Sequence, residues 1–577
     1  MKDGKIGRKE KYNEKRMLIF LAVVLAFMPL MSASANATEV TSAEPISSKP
    51  TVSANFTDDC VMLVMTNEAS LSKLNYSASD FTEIDCKSVT NLSESKTKKV
   101  EMQLSGKIAE ASSRSASTNA LPSDFNVVNL ESFNQILCLE LNKTGKDKVL
   151  EAVALLEQRP DVLCAEPNYI YSIEEDVPEL GSVGSEYMRS AELRSVTTND
   201  TYAHNQWAIE KISLPDAWQI ANGTNHKVTV GIIDAGIDAD HPDLEGKVNT
   251  EKSRTVHEGA GVIHSVETQD QSGHGTMISG IIGAKTNNSI GISGINWDVE
   301  LVSICMVPTG NKVTTLMLVN AINYAESQGI RLLSLSLNID MEGGWDEPCT
   351  DEDEDGIVDP LDFCVHHCIE NYSGLIICSA GNENKDIDND NTRCPTWFDL
   401  PNIIVVGAST PADTRWVGSN GKGSNYGDNI VDLFAPGAII YSTTTTDKCT
   451  SSECPALDTH IADGYHMGGG TSYAVPHVAG VASLIMSKFP NITISALRSR
   501  ILQGVDHVDA LVGKCVTAGR INAHKAVCVH YFGGEAEQVD QLYHSRTCSC
   551  GLKQYYRHTW VDIGGMEICS VCGYMAQ

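Results

Sequence analysis

VTVGIIDAGID, residues 228–238, is the stretch that decides the fold. Val228, Val230, Ile232 and Ile233 make a short apolar run rich in β-branched residues, which Asp234 and Gly236 close. Such a run reads as a strand buried on both faces. The pattern returns in LVSICMV (301–307), RLLSLSL (331–337), LIICSAG (375–381) and NIIVVGAS (402–409), with helical stretches between them. Buried strands that alternate with helices imply an α/β fold, a mostly parallel sheet with helices on both faces. Sites in such sheets form at the carboxyl ends of strands, and Asp234 ends the first of these.

Two further polar residues stand in contexts that need explaining. His274 lies in SGHGTMISG (272–280), where glycines let backbone pack closely around an imidazole. Ser472 lies in GGGTSYAVPHVAG (468–480), at the start of an apolar helical stretch. Helix-terminal N–H groups there can meet a developing negative charge. Singly, these are a capping Asp, a structural His and an N-cap Ser. Together they supply an orienting carboxylate, a general base and a nucleophile.

The contexts closely resemble the subtilisin-like serine peptidases, in VGIIDAGID with HPDL downstream, GHGT, SAGNEN and GTSYAVPHVAG, over roughly residues 200–530. The resemblance implies that Asp234 orients His274, that His274 takes the proton of Ser472, and that Ser472 attacks a peptide carbonyl. It gives Asn382 the role of oxyanion donor beside the Ser472 N–H. It also implies a substrate cleft lined by Ser336, Leu337 and Asn338 and by Ser379, Ala380 and Gly381. Asn338 stands where many relatives carry glycine and should alter the pocket rim; Cys378 reads as a packed thiol. Rough alignment puts Arg393 either in a solvated loop or close to the bound side chain, where it would favour Asp or Glu.

The flanks read as the apparatus of a secreted zymogen. Residues 1–37 hold a basic start, the apolar run MLIFLAVVLAFMPLM and SASANA, which together form a cleavable signal peptide. Residues 38–55 form a tether. Residues 56–172, with the amphipathic stretch KDKVLEAVALLEQRP and the ending VLCAEPNYIY, resemble the α+β propeptides that inhibit these enzymes from within. A polar linker with the maturation site occupies 173–199, the catalytic domain 200–530, and a small Cys-rich, zinc-ribbon-like tail 531–577. No segment after the signal is long and apolar enough to span a membrane. A formal net charge of −31, from 43 Lys and Arg against 74 Asp and Glu, argues against a nucleic-acid partner. Protein or peptide substrates and the chain's own propeptide are the expected partners.

Structural calcium is expected at two places. The family's framework site points to Asp200, Asp243 and Asn288, with carbonyls of the 285–292 loop. The second lies in the acidic insert 349–364, where Asp351, Asp353, Asp355, the Ile357 carbonyl, Asp359 and Asp362 follow a 12-residue oxygen-ligand spacing with Gly356 at the turn. Cys349 with Cys364 or Cys368 would staple its base. In the tail, Cys548, Cys550, Cys569 and Cys572, with His544 and His558 nearby, suit either a Zn–S4 knot or two disulfides. Cys449 with Cys454 and Cys515 with Cys528 are candidate disulfides. The alternative function is a non-catalytic binding or surface protein on the same fold, for which Asp234, His274, Ser472 and Asn382 need not all be intact. A metallopeptidase would need an HExxH helix, which the chain lacks.

Overall fold

An antiparallel sheet leads the chain, built from β1 (Phe56–Met65), β2 (Cys86–Asn91), β3 (Ile136–Leu141) and β4 (Val162–Ile173) in the order β4-β1-β3-β2. The computed structural model describes residues 55–104, 128–173, 198–257, 263–265, 270, 272–306, 312–336, 339–341, 362–388, 393–418, 421–445 and 464–529, and in the tail 537–539, 543–548, 552–557, 560–562 and 567–569. The expected signal peptide, the linker after Ile173, Leu337, Asn338, Cys449, Cys454, Cys550, Cys572 and the insert ligands from Asp351 to Asp359 lie outside these residues. Helix α1 (Lys146–Leu156) buries Val149, Ala152, Val153 and Leu156, the i, i+3, i+4, i+7 stripe of an amphipathic helix, and packs on β1 and β4.

The larger, mostly parallel sheet is centred on β5 (Val228–Asp234). Parallel to it lie β6 (Val299–Met306) on one side and β8 (Leu332–Leu335) on the other, then β10 (Leu375–Ser379), β11 (Ile403–Ser409) and β12 (Leu433–Pro436). Antiparallel strands 263–265 and 505–507 close its two edges. Successive residues of a strand face opposite sides. Val230 and Ile232 join the core under helices α2 (His274–Gly283) and α5 (Thr471–Lys488). Ile233 joins the core of α3 (Thr315–Ser327) and α4 (Phe363–Glu370). Both faces are thus helix-covered, as the continuous apolar strands require. The strands flanking β5 belong to connections that leave in opposite directions, so Asp234 sits at a topological switch point.

The second core does not stop at the parallel sheet and its helices. It runs from Leu316, Val319, Val365 and Ile369 into Val61, Leu63, Leu137 and Leu139 of the N-terminal sheet. The end of β4 then leaves its own sheet. It pairs antiparallel with β7 (Lys312–Thr314) on one side, Tyr171 opposite Val313, and with β9 (Ile339–Met341) on the other, Ile173 opposite Ile339. In the tail, strand 543–547 pairs with 537–538 and 553–557, and 560–562 pairs with 567–569. Among the described residues no helix is long and apolar enough to cross a membrane.

Candidate active site

Asp234, buried at the end of β5, accepts the Ala235 N–H at 2.7 Å through Oδ1, which also lies 2.7 Å from His274 Nδ1. A carboxylate against Nδ1 puts the ring hydrogen there and leaves Nε2 as the basic nitrogen. Gly275 makes the approach possible, because a Cβ there would stand 2.0 Å from the Gly236 carbonyl oxygen and 3.0 Å from Asp234 Oδ1. Asp270, which sequence reading missed, holds the turn into α2. Its Oδ1 accepts the Ser272 and Gly273 N–H groups, and its Oδ2 accepts the N–H and hydroxyl of Thr276. Its only sequence signal is an Asp four residues before the histidine.

Ser472 is the second residue of α5, a helix whose residues from Thr471 to Ser487 are all buried. Its hydroxyl donates to the Ser336 carbonyl at 2.8 Å. Tyr473 sets its ring edge-on against the His274 imidazole, with centroids 5.8 Å apart, which brings the start of α5 beside the start of α2. Asn382 Oδ1 accepts both the N–H and the hydroxyl of Thr471, at 2.9 and 3.0 Å. That fixes the amide with its donor nitrogen turned away from Thr471. Gly381, at φ 98°, donates its N–H to the Thr471 hydroxyl at 3.2 Å.

Of the expected cleft residues, Ser336 follows β8, and Ser379, Ala380 and Gly381 close β10. The Ser379 carbonyl accepts the Thr396 hydroxyl and the Ala380 carbonyl accepts Asn425 Nδ2. Cys378 is a packed thiol, held far above the usual thiol range by burial. Arg393 departs from expectation. It is only 2% exposed, and its Nη1 pairs with Glu383 Oε2 at 2.7 Å. Glu383 directly follows Asn382, so the cation meets the site already matched by a carboxylate.

The framework calcium residues come together. Asp200 accepts the Asn288 N–H and the Ser293 hydroxyl; Asp243 accepts Asn288 Nδ2 and the Ile292 N–H. Burial, with the charge of Asp200 nearby, pushes the Asp243 carboxyl up to about 6. Asp200, Asp243 and the Asn288 side-chain oxygen are oxygens of the kind a hard divalent cation takes, here accepting N–H and O–H groups of the protein. Among the described residues no cluster of three or more His, Cys, Asp or Glu is placed to hold a metal.

Two expectations are corrected. Asp362 is not the twelfth ligand of a calcium loop: it is a buried helix cap. Its Oδ1 accepts the Val365 N–H at 2.8 Å, and its Oδ2 accepts the hydroxyls of Thr315 and Tyr171. Cys515 does not pair with Cys528. Cys515 Sγ contacts the Thr517 hydroxyl and the Gly519 carbonyl, whereas Cys528 Sγ lies 3.8 Å from Cys548 Sγ. Cys368 Sγ donates to the Val319 carbonyl, and Cys364 is buried beside it on α4.

An imidazole held by a buried carboxylate, a serine at a neighbouring helix start and an anchored asparagine, at the switch point of a parallel sheet, are the groups that serine-type hydrolysis requires. The subtilase family profile matches residues 225–518. Thermitase from Thermoactinomyces vulgaris is 31% identical over 332 residues, which are 57% of this chain and 99% of thermitase. The thermophilic serine proteinase of Bacillus sp. (strain AK1) is 28% identical over 376 residues, 65% of this chain and 75% of that protein. The solved structure of fervidolysin from Fervidobacterium pennivorans shares the fold, with a TM-score of 0.53 at 18% identity over 91% of this chain and 72% of that one. The chain belongs to the subtilase family and is a subtilisin-like serine endopeptidase, whose substrates are peptides.

Proposed function

We propose that the chain is the precursor of a secreted endopeptidase that works through Asp234, His274 and Ser472 and is inhibited by its own residues 56–172. His274 Nε2 takes the Ser472 proton as Oγ attacks the peptide carbonyl, and later gives it to the leaving amine. Asp234 on Nδ1 holds the productive tautomer and stabilises the imidazolium. Asn382 Nδ2 and the Ser472 N–H receive the oxyanion, where charge appears only in the transition state. Water then hydrolyses the acyl-enzyme. Ser336, Leu337, Asn338 and Ser379 to Gly381 hold the substrate backbone. The observation that carries this reading is the 2.7 Å contact of His274 Nδ1 with Asp234, with Ser472 opening the neighbouring helix.

The inhibitor reading rests on β4, whose end lies as an extended strand between β7 and β9, as an extended peptide would. Maturation then falls in the linker 173–199, after export led by residues 1–37. Asp200, Asp243 and Asn288 would hold calcium against local unfolding, and Asp351 to Asp359 a second ion without Asp362. The tail cysteines Cys548, Cys550, Cys569 and Cys572 serve zinc or disulfides, and Cys548 has Cys528 as a further sulfur neighbour. The test is the Ser472→Ala variant. It should accumulate with its propeptide attached and fail to react with a serine-directed phosphonate; normal maturation and casein cleavage would overturn the triad.

A further inference from the structure

Two carboxyl groups meet where β4 crosses the start of α4. Glu166, from β4, accepts the Phe363 N–H through Oε2 at 3.0 Å and the Cys364 N–H through Oε1 at 2.9 Å. Asp362 caps the same helix through Val365. Both are buried, at 3% and 1% exposure, and both accept N–H groups of the same first turn of α4, so the two carboxyls stand side by side. Two carboxylates offer only acceptors, so a direct contact between them requires a proton.

The surroundings select one negative charge. Three N–H groups at the start of α4 point at the pair and favour an anion there. The other groups facing it are Cys164, Tyr169 and Tyr171 from β4, Thr315 from α3, Cys364 from α4 and Cys394 from strand 393–394. None of these is basic. Cys368, farther along α4, is within electrostatic reach of Asp362, and Lys96 and Glu326 are within reach of Cys368. A second negative charge would therefore stand unmatched in a dry contact.

We propose that Glu166 and Asp362 share one proton across the contact between the N-terminal domain and the catalytic domain, so that the inhibitor is clamped at acidic pH and loosened as pH rises. This rests on the reading of residues 56–172 as an inhibitor that must detach. Burial and the facing Asp362 charge push Glu166 well above the usual carboxylate range, and burial pushes Asp362 up as well. Once the surfaces part, both groups meet water and ionise near their ordinary values of about 4. Docking then takes up one proton. It is at full strength below the ordinary carboxylate range and weakens about tenfold per pH unit above it, until pH passes the raised value of the pair.

The test uses the full-length Ser472→Ala precursor, which cannot process itself, so its outcome is independent of whether the wild-type chain is an active protease. Amide hydrogen exchange of the peptide covering 362–371, corrected for intrinsic rates, is followed from pH 5.5 to 8.5. Protection should fall as pH rises in this parent, at a slope of up to about tenfold per pH unit. It should stay level after a further Glu166→Gln change, because the Gln amide donates to Asp362 without a titrating proton. Asp362→Asn, which keeps a capping oxygen and adds a donor, should also level the profile and serves if the first variant folds poorly. Helix α5 is the internal control. Level protection in the parent, or equal slopes in parent and both variants, would overturn the proposal.

Discussion

Asn382 is anchored by Thr471: one side-chain oxygen accepts both the backbone N–H and the hydroxyl of the residue just before the nucleophile. The side-chain nitrogen proposed to meet the oxyanion is thus oriented from the same helix start that carries Ser472. Asn382→Ala should lower kcat by a factor on the order of 10²–10³ with little change in KM, since the bond it removes forms only in the transition state. Thr471→Val keeps the backbone bond and loses the hydroxyl, so a fall of roughly fivefold to tenfold in kcat is expected, about the worth of one neutral hydrogen bond. Steady-state kinetics on a peptide anilide separates the two effects. Unchanged kcat in Asn382→Ala would remove it from the reaction.

The Arg393–Glu383 pair makes a different prediction from an unmatched arginine. With Glu383 in place, the cation is already neutralised and acidic side chains gain little from it. Glu383→Gln should unmask the charge and raise kcat/KM for Glu over Leu at the cleaved position by roughly tenfold. The free enzyme should also lose stability, because breaking a buried pair leaves a charge uncompensated. A peptide-library cleavage profile checks this, and an unchanged profile would mean that Arg393 does not face the substrate.

Calcium removal should act on stability and leave the chemistry alone. In the Ser472→Ala background, where autolysis is absent, calcium at a hundred times its Kd should stabilise by about 2.7 kcal/mol relative to chelator. Asp243→Asn or Asp200→Asn should erase most of that response in a thermal melt. A full response in both variants would retire the framework site.

How much was legible follows from how local each signal is. The strands of the catalytic sheet were readable because burial on both faces leaves unbroken apolar runs, and α1 because Val149, Val153 and Leu156 repeat on one face. Asp234, His274 and Ser472 each sit among glycines that the close packing demands. Glu166 and Cys364 lie 198 residues apart, and no local pattern marks such a contact. Asp362 shows a misreading of a local signal. Its place at the end of an acidic run suited a ligand spacing, yet an Asp directly before the apolar stretch FCVHHCIE is equally a helix cap, and the structure uses it so. Glu383 was overlooked although it adjoins the recognised SAGN, because charge pairing with Arg393 depends on a fold-back that spacing does not announce.

The register of β4 on β9 predicts where Ser472 would make the proposed maturation cut. β4 runs antiparallel to β9, with Tyr171 opposite Met341, Ser172 opposite Asp340 and Ile173 opposite Ile339. Each residue forward along β4 is thus one residue back along β9, toward Ser336, whose carbonyl accepts the Ser472 hydroxyl. Three positions separate Ile339 from Ser336 (339 − 336 = 3), so the same register, if carried on past the described residues, would bring about the third residue after Ile173 to Ser472. The bonds around Glu175, Asp176 and Val177 are therefore the expected first cut. The Val177–Pro178 bond is the least suited of them, since proline offers no N–H as a leaving amine and restricts the residue before it. Mass spectrometry of the first processed form, trapped early after synthesis, should find a new N-terminus at Asp176 or Val177. Deleting Glu174 and Glu175 should move a different pair of residues to Ser472 and shift the cut by two positions along the sequence. A first N-terminus near Thr198, unaffected by that deletion, would mean that the end of β4 is not what is delivered to the site.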